Sequence, residues 1–435
     1  MHGSRPRSRR RLATAITVVV LLALLVVSPG LVAPHAAEEV PRKGPDDVKL
    51  VTVSEESDAR LWPFTSRQRS FESLTLPINA VVRAENSRVV SQLRRSGSDW
   101  ELADDEWQGV GDEAEPVVVE GTDVTWDETT GATRYTYVAA PGSAGGWTAE
   151  TAQLHDGTYF GSRYHLRLYE GGTGGDRWTA IQAHHEHWDW FRLRHTVGSL
   201  SVAQQQFETE YFGAAYTADV GRERFANGGI SDADGWVSTV DLRPLSVTEL
   251  RPLSAASVLS VGLLLFGSVV GRASATWRSM VDHVTTVLSD ETGQRSALLF
   301  AALLSLPLFV RSAAVFAETA VGVLPVKLVA GTLYLVLAVG VPAVALALPR
   351  EGEPFDWAGI AILGLGVGFV LDYQSIGIDV LPIAVVLHRL TVLAAVGFLA
   401  AGASRPTAET TWNSSAKIGL VTWLCLLAWP LFVGL

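Results

Sequence analysis

From Ser254 to Leu435 the chain is a series of apolar stretches broken by short polar links, at about 254–271, 296–317, 326–348, 357–371, 380–403 and 417–434. Such a pattern excludes a wholly soluble fold. About 20 apolar residues span the hydrocarbon of a bilayer, where each backbone polar group must find its partner inside a helix or a closed barrel. The spacing predicts an all-α, multi-pass membrane domain of about six helices over 254–435. The stretch Trp357–Leu371 is short for a full crossing, so a re-entrant segment is the alternative there. Arg272, Arg278 and Arg295 follow the first stretch, and Arg405 and Lys417 lie between the last two. The excess of basic residues in cytoplasmic loops places both links inside. Arg311 and Lys327 then fall near outward-facing ends, against that rule. Arg311, Glu318, Asp372, His388 and Arg389 are the charged or titratable residues at or near membrane depth, where such groups are costly and functional by default.

The N-terminus has the same orientation. Arg5, Arg7, Arg9, Arg10 and Arg11 precede a largely apolar run from Ala13 to Val27, extended to Ala33 and followed by Ala36 and Ala37. Residues 1–37 therefore read as a cleaved signal peptide or a retained anchor. Either way the basic end stays inside and the next domain is exported.

That domain, 38–253, carries 35 acidic and 20 basic residues, while the rest of the chain carries 10 and 14. A surface of this sign repels phosphate backbones, which excludes nucleic acid as a partner. Only four residues are lysines, and twelve carboxylates lie between Arg95 and Arg134 without a basic residue among them. The balance resembles that of haloarchaeal proteins, with Asp99–Glu128 as a salt-adapted, solvated face. The single cysteine, Cys425, rules out an intrachain disulfide and a thiolate metal site.

The exported domain reads as α+β, an antiparallel sheet covered by about two helices. Residues 38–70 form an extended lead-in, and Leu76–Arg83 a strand. Asn86 caps a helix through Gly97 whose Val89, Val90 and Leu93 share a face. Arg134–Ala139 and Tyr164–Tyr169 alternate as strands, Glu170–Asp176 supplies a glycine-rich hairpin turn, and Trp178–Ala183 returns. The run His187–Val197 also alternates, placing His187, Asp189, Phe191, Leu193 and His195 on one side and Trp188, Trp190, Arg192 and Arg194 on the other. Leu200–Phe212 suits a helix begun by Ser199 or Ser201, and Trp236–Leu242 an edge strand.

Six of the ten histidines, His155, His165, His184, His185, His187 and His195, fall in this second half. His185, His187, Asp189 and His195 are the candidate metal ligands, for zinc or another transition metal, because neutral imidazole and carboxylate at short spacing are the donors such ions take. Glu186 or Asp189 would then be the base toward a metal-bound water. The aromatic residues allow a different reading. Trp188, Trp190 and Arg192, with Tyr164 or Tyr169 nearby, make a platform for a sugar ring or for lipid headgroups if they are exposed.

Ile78-Asn79-Ala80-Val81-Val82, Gly97-Ser98-Asp99-Trp100, Tyr164 to Tyr169, Trp178-Thr179-Ala180 and Arg194-His195-Thr196-Val197 together resemble the LssY C-terminal domain family over about 130 residues. The resemblance implies a soluble α+β module attached to membrane helices, with His165, Arg167, Tyr169, Trp178 and His195 on the family pattern. The acidic segment that follows the last histidine in the family is replaced here by Val197-Gly198-Ser199-Leu200-Ser201. Ligand-binding residues are expected among His165, Arg167, Tyr169, Trp178, Trp188, Trp190, Arg192 and His195.

Three functions follow as expectations. The first is an extracytoplasmic domain that binds or senses an envelope glycan, lipid or protein partner, anchored in membrane lipid. The second is a membrane-anchored metal-dependent hydrolase using the His155–His195 cluster. The third is a transporter or export component, which requires convergent polar groups among the helices.

Overall fold

A computed structural model of the chain describes residues 49–54, 58–96, 98–102, 133–139, 145–243, 290–321, 324–350, 352–378, 381–404 and 413–433. The expected N-terminal signal or anchor, most of the acidic run and the apolar stretch 254–271 lie outside these residues.

The β-rich part runs β1 (Val51–Ser54), β2 (Ala59–Leu61), β3 (Phe64–Ser66), β4 (Leu74–Pro77), β5 (Ala80–Arg83), α1 (Asn86–Leu93), β6 (Glu101–Leu102), β7 (Tyr135–Ala139), β8 (Gly146–Ala149), β9 (Ala152–Gly157), β10 (Ser162–Gly171), β11 (Trp178–Asp189), β12 (Arg194–Ser199), α2 (Ser201–Tyr211), β13 (Thr217–Arg224) and β14 (Trp236–Leu242). These strands make two sheets where one was expected. The first has order β1-β2-β7-β3-β4 with β8 on β7, and the second β13-β14-β5-β11-β10-β9-β6 with β12 on β11. Pairing is antiparallel except between β14 and β5. The lead-in to residue 70 thus contains strands of the first sheet.

Leu76–Arg83, expected as one strand, is two, one in each sheet, and Asn79 marks the break. Its side-chain amide donates to the Ala183 carbonyl at 2.8 Å, and its Oδ1 accepts from the Ala183 amide at 2.7 Å. A side chain thereby takes the place of a ladder partner and lets the backbone leave the sheet. Helix α1 is shorter than expected. It starts at Asn86 with Glu85 in the capping position, and Ser96 Oγ donates to the Leu93 carbonyl at 2.6 Å, closing the last turn. At α2, Asp232 caps the start by accepting from the Leu200 and Ser201 amides at 2.7 and 3.2 Å. Ser199 Oγ accepts from Val202 N at 3.0 Å.

The two faces of the eight-stranded sheet differ. Leu166, Leu168, Ile181 and Ala183 pack under Val89 and Leu93 of α1 and Phe207 and Tyr211 of α2. On the opposite face Tyr169, Trp178 and Ala180 meet Val53, Leu61 and Ile78 of the first-sheet side. Central β11 is covered on both faces and buried along its whole length. Its hairpin with β10 turns on Gly172, at φ +77°, where a Cβ would lie 2.0 Å from the Asp176 carbonyl oxygen.

The C-terminal part has the helices α3 (Glu291–Phe316), continued by a π turn over Ala317–Val321, then α4 (Val326–Ala347), α5 (Pro354–Ser375), α6 (Ile383–Ala403) and α7 (Ser414–Val433). The first four, with the π turn counted into α3, are long and apolar enough to cross a membrane. The stretch for which a re-entrant segment was the alternative belongs to the 22-residue helix α5, because Pro354 at its first turn and the polar residues Asp372–Ser375 extend it at both ends. Gly364 and Gly368 let α5 approach α3 closely. A Cβ at either would lie 2.8 or 2.7 Å from the Phe300 or Leu304 carbonyl oxygen.

Candidate functional site: a histidine row and a junction with the helices

The run His187–Val197 is a hairpin and not one strand. Asp189 bends the chain: its Oδ1 accepts from the Phe191 amide at 2.9 Å and its carbonyl from the Arg192 and Leu193 amides, with Leu193 at φ +50°. The register then pairs His187 with Thr196, Trp188 with His195 and Asp189 with Arg194. Since residues directly opposite share a face, His195 stands beside Trp188, away from His187 and Asp189. The expected metal set is therefore divided. His185, His187 and Asp189 lie on the helix-covered face and His195 on the other.

The other face brings together a different set. His155 of β9 pairs with His165 of β10, and His165 with His184 of β11, so three imidazoles form a row across three strands. Their ring centroids are 4.2 and 4.7 Å apart. Glu186 stands next along β11. Arg163 holds its Oε1 through Nε at 2.8 Å and Nη2 at 2.7 Å, and His184 Nε2 approaches Oε2 at 3.1 Å.

A hydrogen-bonded chain behind the row fixes its chemistry. The Glu150 carboxylate accepts from the Arg134 amide at 2.7 Å and from Arg167 at 3.2 Å. Gln153 Nε2 donates to Glu150 at 2.8 Å, which orients its Oε1 toward His165 Nε2 at 3.0 Å. An amide oxygen only accepts, so His165 carries its proton on Nε2. Its Nδ1 is then a bare lone pair, 3.7 Å from Glu186 Oε1. His155 Nε2 is buried and has no hydrogen-bond partner.

Burial dominates the protonation of this row. It depresses His155 to about 3 and His195 to about 4, and takes His165 well below and His184 below the ordinary imidazole value. For Glu186 burial acts upward, yet His195, the His184 hydrogen bond and Arg163 outweigh it and hold the carboxyl well below its usual range. Burial thus favours neutral imidazole at His155 and His165 beside an ionised carboxylate, the protonation state in which these groups ligate metals. One ligand atom from each of His155, His165 and Glu186 lies within 4.8 Å of the other two.

The second cluster lies where the hairpin tip enters the helices. Phe160, Trp188, Trp190 and Phe191 share an apolar core with residues of α3 to α7. The cavity beside Phe191 reaches Pro307 and Leu337, and Pro307 lies nine residues, or about 14 Å, inside the end of α3 at Phe316. Arg311 of α3 makes a paired contact with Asp372 of α5 at 2.9 and 2.8 Å and donates to the carbonyls of Phe160 and Trp188 at 2.5 and 2.8 Å. Arg389 of α6 donates to Asp189 Oδ1, to Tyr373 Oη at 3.2 Å and to His388 Nδ1 at 2.9 Å. Glu318 accepts from the amides of Tyr159 and Phe160 at 2.6 and 3.0 Å, and Ser162 Oγ donates to the Ile376 carbonyl at 2.7 Å. Arg311, one of the charged residues expected near membrane depth, thus serves an ion pair and the hairpin.

The expected aromatic ligand-binding residues have other surroundings. Tyr169 and Trp178 are buried between the sheets, and Trp188 and Trp190 are buried against the helices. Trp190 stacks on Phe160 with centroids 5.6 Å apart, and Arg192 is partly buried in the tip. No exposed platform of these residues forms. His165 and Arg167 belong to the row and the chain behind it, and His195 Nε2 meets the Tyr159 carbonyl at 2.9 Å. Arg163, Glu150 and Gln153 were missing from the expected site. The signal for them is hairpin register: the turns at 158–161 and 172–177 bring 155 opposite 165 and 165 opposite 184.

Comparison with known proteins finds no matching family model, no similar curated protein and no similar solved structure.

Proposed function

We propose that the protein is a membrane-anchored binding or sensing protein of the cell envelope, whose β-rich domain stands on the extracytoplasmic side and biases the helices through its hairpin tip. The observation that carries this reading is the pair of membrane-helix arginines, Arg311 and Arg389, that place their donors on the tip. Breaking one buried ion pair costs about 3–5 kcal/mol. A shift of the tip that broke the Arg389–Asp189 pair would therefore supply most of the about 5.5 kcal/mol that moves a two-state equilibrium from 1:99 to 99:1.

Charge supports the sidedness. The helix ends remote from the domain carry Arg295, Arg350 and Lys417, whereas Lys327 is the exposed-end cation near the domain among the described residues. The LssY-like pattern belongs to the same proposal. Ile78, Ala80, Val82, Trp100, Leu166, Tyr169 and Trp178 of that pattern are buried core residues, which supports a role in the fold, and the ligand class is an envelope glycan, lipid or protein.

Two measurements test the reading. With Cys425 replaced by Ala, Val202→Cys places a thiol on an exposed position of α2. A membrane-impermeant maleimide should label it in intact cells, and labelling only after permeabilisation refutes the orientation. In the purified full chain, Arg389→Met should increase amide exchange both in the hairpin 187–196 and in α5. Exchange confined to α6 refutes the coupling.

A further inference from the structure

We propose that His155, His165 and Glu186 form a binding site for a single divalent transition metal of the zinc class, with water completing the coordination. The proposal goes beyond the sensing reading and stands or falls separately, since metal stoichiometry does not depend on what the helices do.

Three independent features converge. The chain Glu150–Gln153–His165 fixes the His165 tautomer so that Nδ1 presents a lone pair toward Glu186, and a hydrogen-bonded outer partner of this kind is what orients ligating histidines. Without a cation between them, a bare imidazole nitrogen and a carboxylate oxygen at 3.7 Å repel each other. His155 supplies the third donor from the neighbouring strand, with Nε2 buried and unpartnered. Finally, Arg163 holds Glu186 Oε1 and His184 approaches Oε2, so the carboxylate is fixed beside the two imidazoles and Oε2 keeps a lone pair for the ion.

The same accounting excludes the other imidazoles. His184 faces Gln182 and Glu186 with its two nitrogens, and His195 is not among the residues whose ligand atoms converge within 4.8 Å. Two imidazoles, one carboxylate and an open position form the donor set that zinc takes where it also binds water or an exogenous ligand. A tetrahedral zinc site needs ligand atoms about 3.4 Å apart. The present limit of 4.8 Å means that binding draws the three side chains inward by about 1 Å. Entry is from the β9 side, where His155 is only partly buried.

The test uses the full chain, purified without a histidine tag, stripped with a chelator and dialysed. Co2+ titration should give one ion per chain with visible d–d absorption of a nitrogen and oxygen site, and Zn2+ should displace it. His155→Ala and His165→Ala should each abolish the stoichiometric signal, whereas His185→Ala, on the opposite face, should retain it. X-ray absorption of the zinc-loaded wild-type chain should show two imidazoles per zinc, which keeps the test valid if an alanine variant misfolds. Failure of the wild-type chain to bind stoichiometrically, imidazole scattering other than two, or retention of the signal in His155→Ala and His165→Ala would overturn the proposal.

Discussion

At the junction, Arg311 and Arg389 meet Asp372 and Asp189. In the row, Arg163 is the cation on Glu186, and the imidazoles of His155 and His165, kept neutral by burial, stand beside the pair. Both clusters are buried and polar, but in one each buried arginine is matched by an aspartate while the other leaves nitrogen lone pairs without a donor. A balanced buried cluster sets geometry, since each charge already holds its partner and a further ion would upset the sum. A cluster with bare donors is chemically receptive. The difference assigns coupling to the first and binding to the second.

The junction is the place to break this comparison most severely. Arg389→Met leaves Asp189, which is 1% exposed, without its cation. The expected loss is about 3–5 kcal/mol, which lowers the midpoint of thermal unfolding by about 10 °C for a unit of this size. Asp189→Asn combined with Arg389→Met removes both charges and keeps an acceptor for the Phe191 amide, so it should recover most of the loss. Simple additivity of the two substitutions would show that the pair is not coupled and would remove the basis for the contrast.

Much of this was legible in the sequence, and the reason is periodicity. The apolar stretches beginning at 296, 326, 357 and 380 correspond to helices because hydropathy over 20 residues is a strong, local signal. Alternation in Tyr164–Tyr169 likewise belongs to a strand. The site was less legible because it depends on register, which is a non-local property. His187–Val197 alternates throughout, yet Asp189 turns the chain through hydrogen bonds to its own following residues, and this single bend moves His195 to the other face. His155 and His165 are ten residues apart and meet only through a turn whose length the sequence does not announce. Nor does hydropathy tell an exposed tryptophan from one that is inserted among membrane helices, as Trp190 is.

Acid separates the two clusters with a smaller effect. His195 is depressed by burial to about 4, and His187, on the other face and outside the proposed ligand set, to about 3. Both stay neutral in the folded chain below the pH at which the unfolded chain protonates them, near 6.5. The unfolded state therefore binds more protons in this window, and stability falls as the pH falls. Each group contributes about 1.4 kcal/mol per pH unit between 6.5 and its folded value. The junction carboxylate Asp189 is also depressed, but its contribution is lost only as the pH falls below the ordinary aspartate value of about 3.9. Denaturant titrations of the metal-free chain between pH 6.5 and 4.5 should thus report the imidazoles. His187→Phe should flatten the slope by about one proton, and an unchanged slope would mean that His187 is charged in the fold.

The mildest substitution is the most specific. Gln153→Leu removes the acceptor that holds the His165 Nε2 proton, and in the metal-free chain it should cost about 1–3 kcal/mol, the range for leaving one buried donor unsatisfied. Its larger consequence is chemical. Once Gln153 no longer selects the tautomer, the proton is free to move to Nδ1, where Glu186 is the acceptor at 3.7 Å, and the lone pair needed for coordination is lost. Nitrogen-15 shifts of the His165 ring should move from the Nε2–H pattern toward Nδ1–H, and Co2+ affinity should fall about 10–100-fold, as for loss of other outer-sphere partners. Arg389→Met should leave that affinity unchanged if the junction and the row are separate. Equal losses in both variants would mean that the two clusters act as one unit, with the hairpin Trp188–His195 as the link between them.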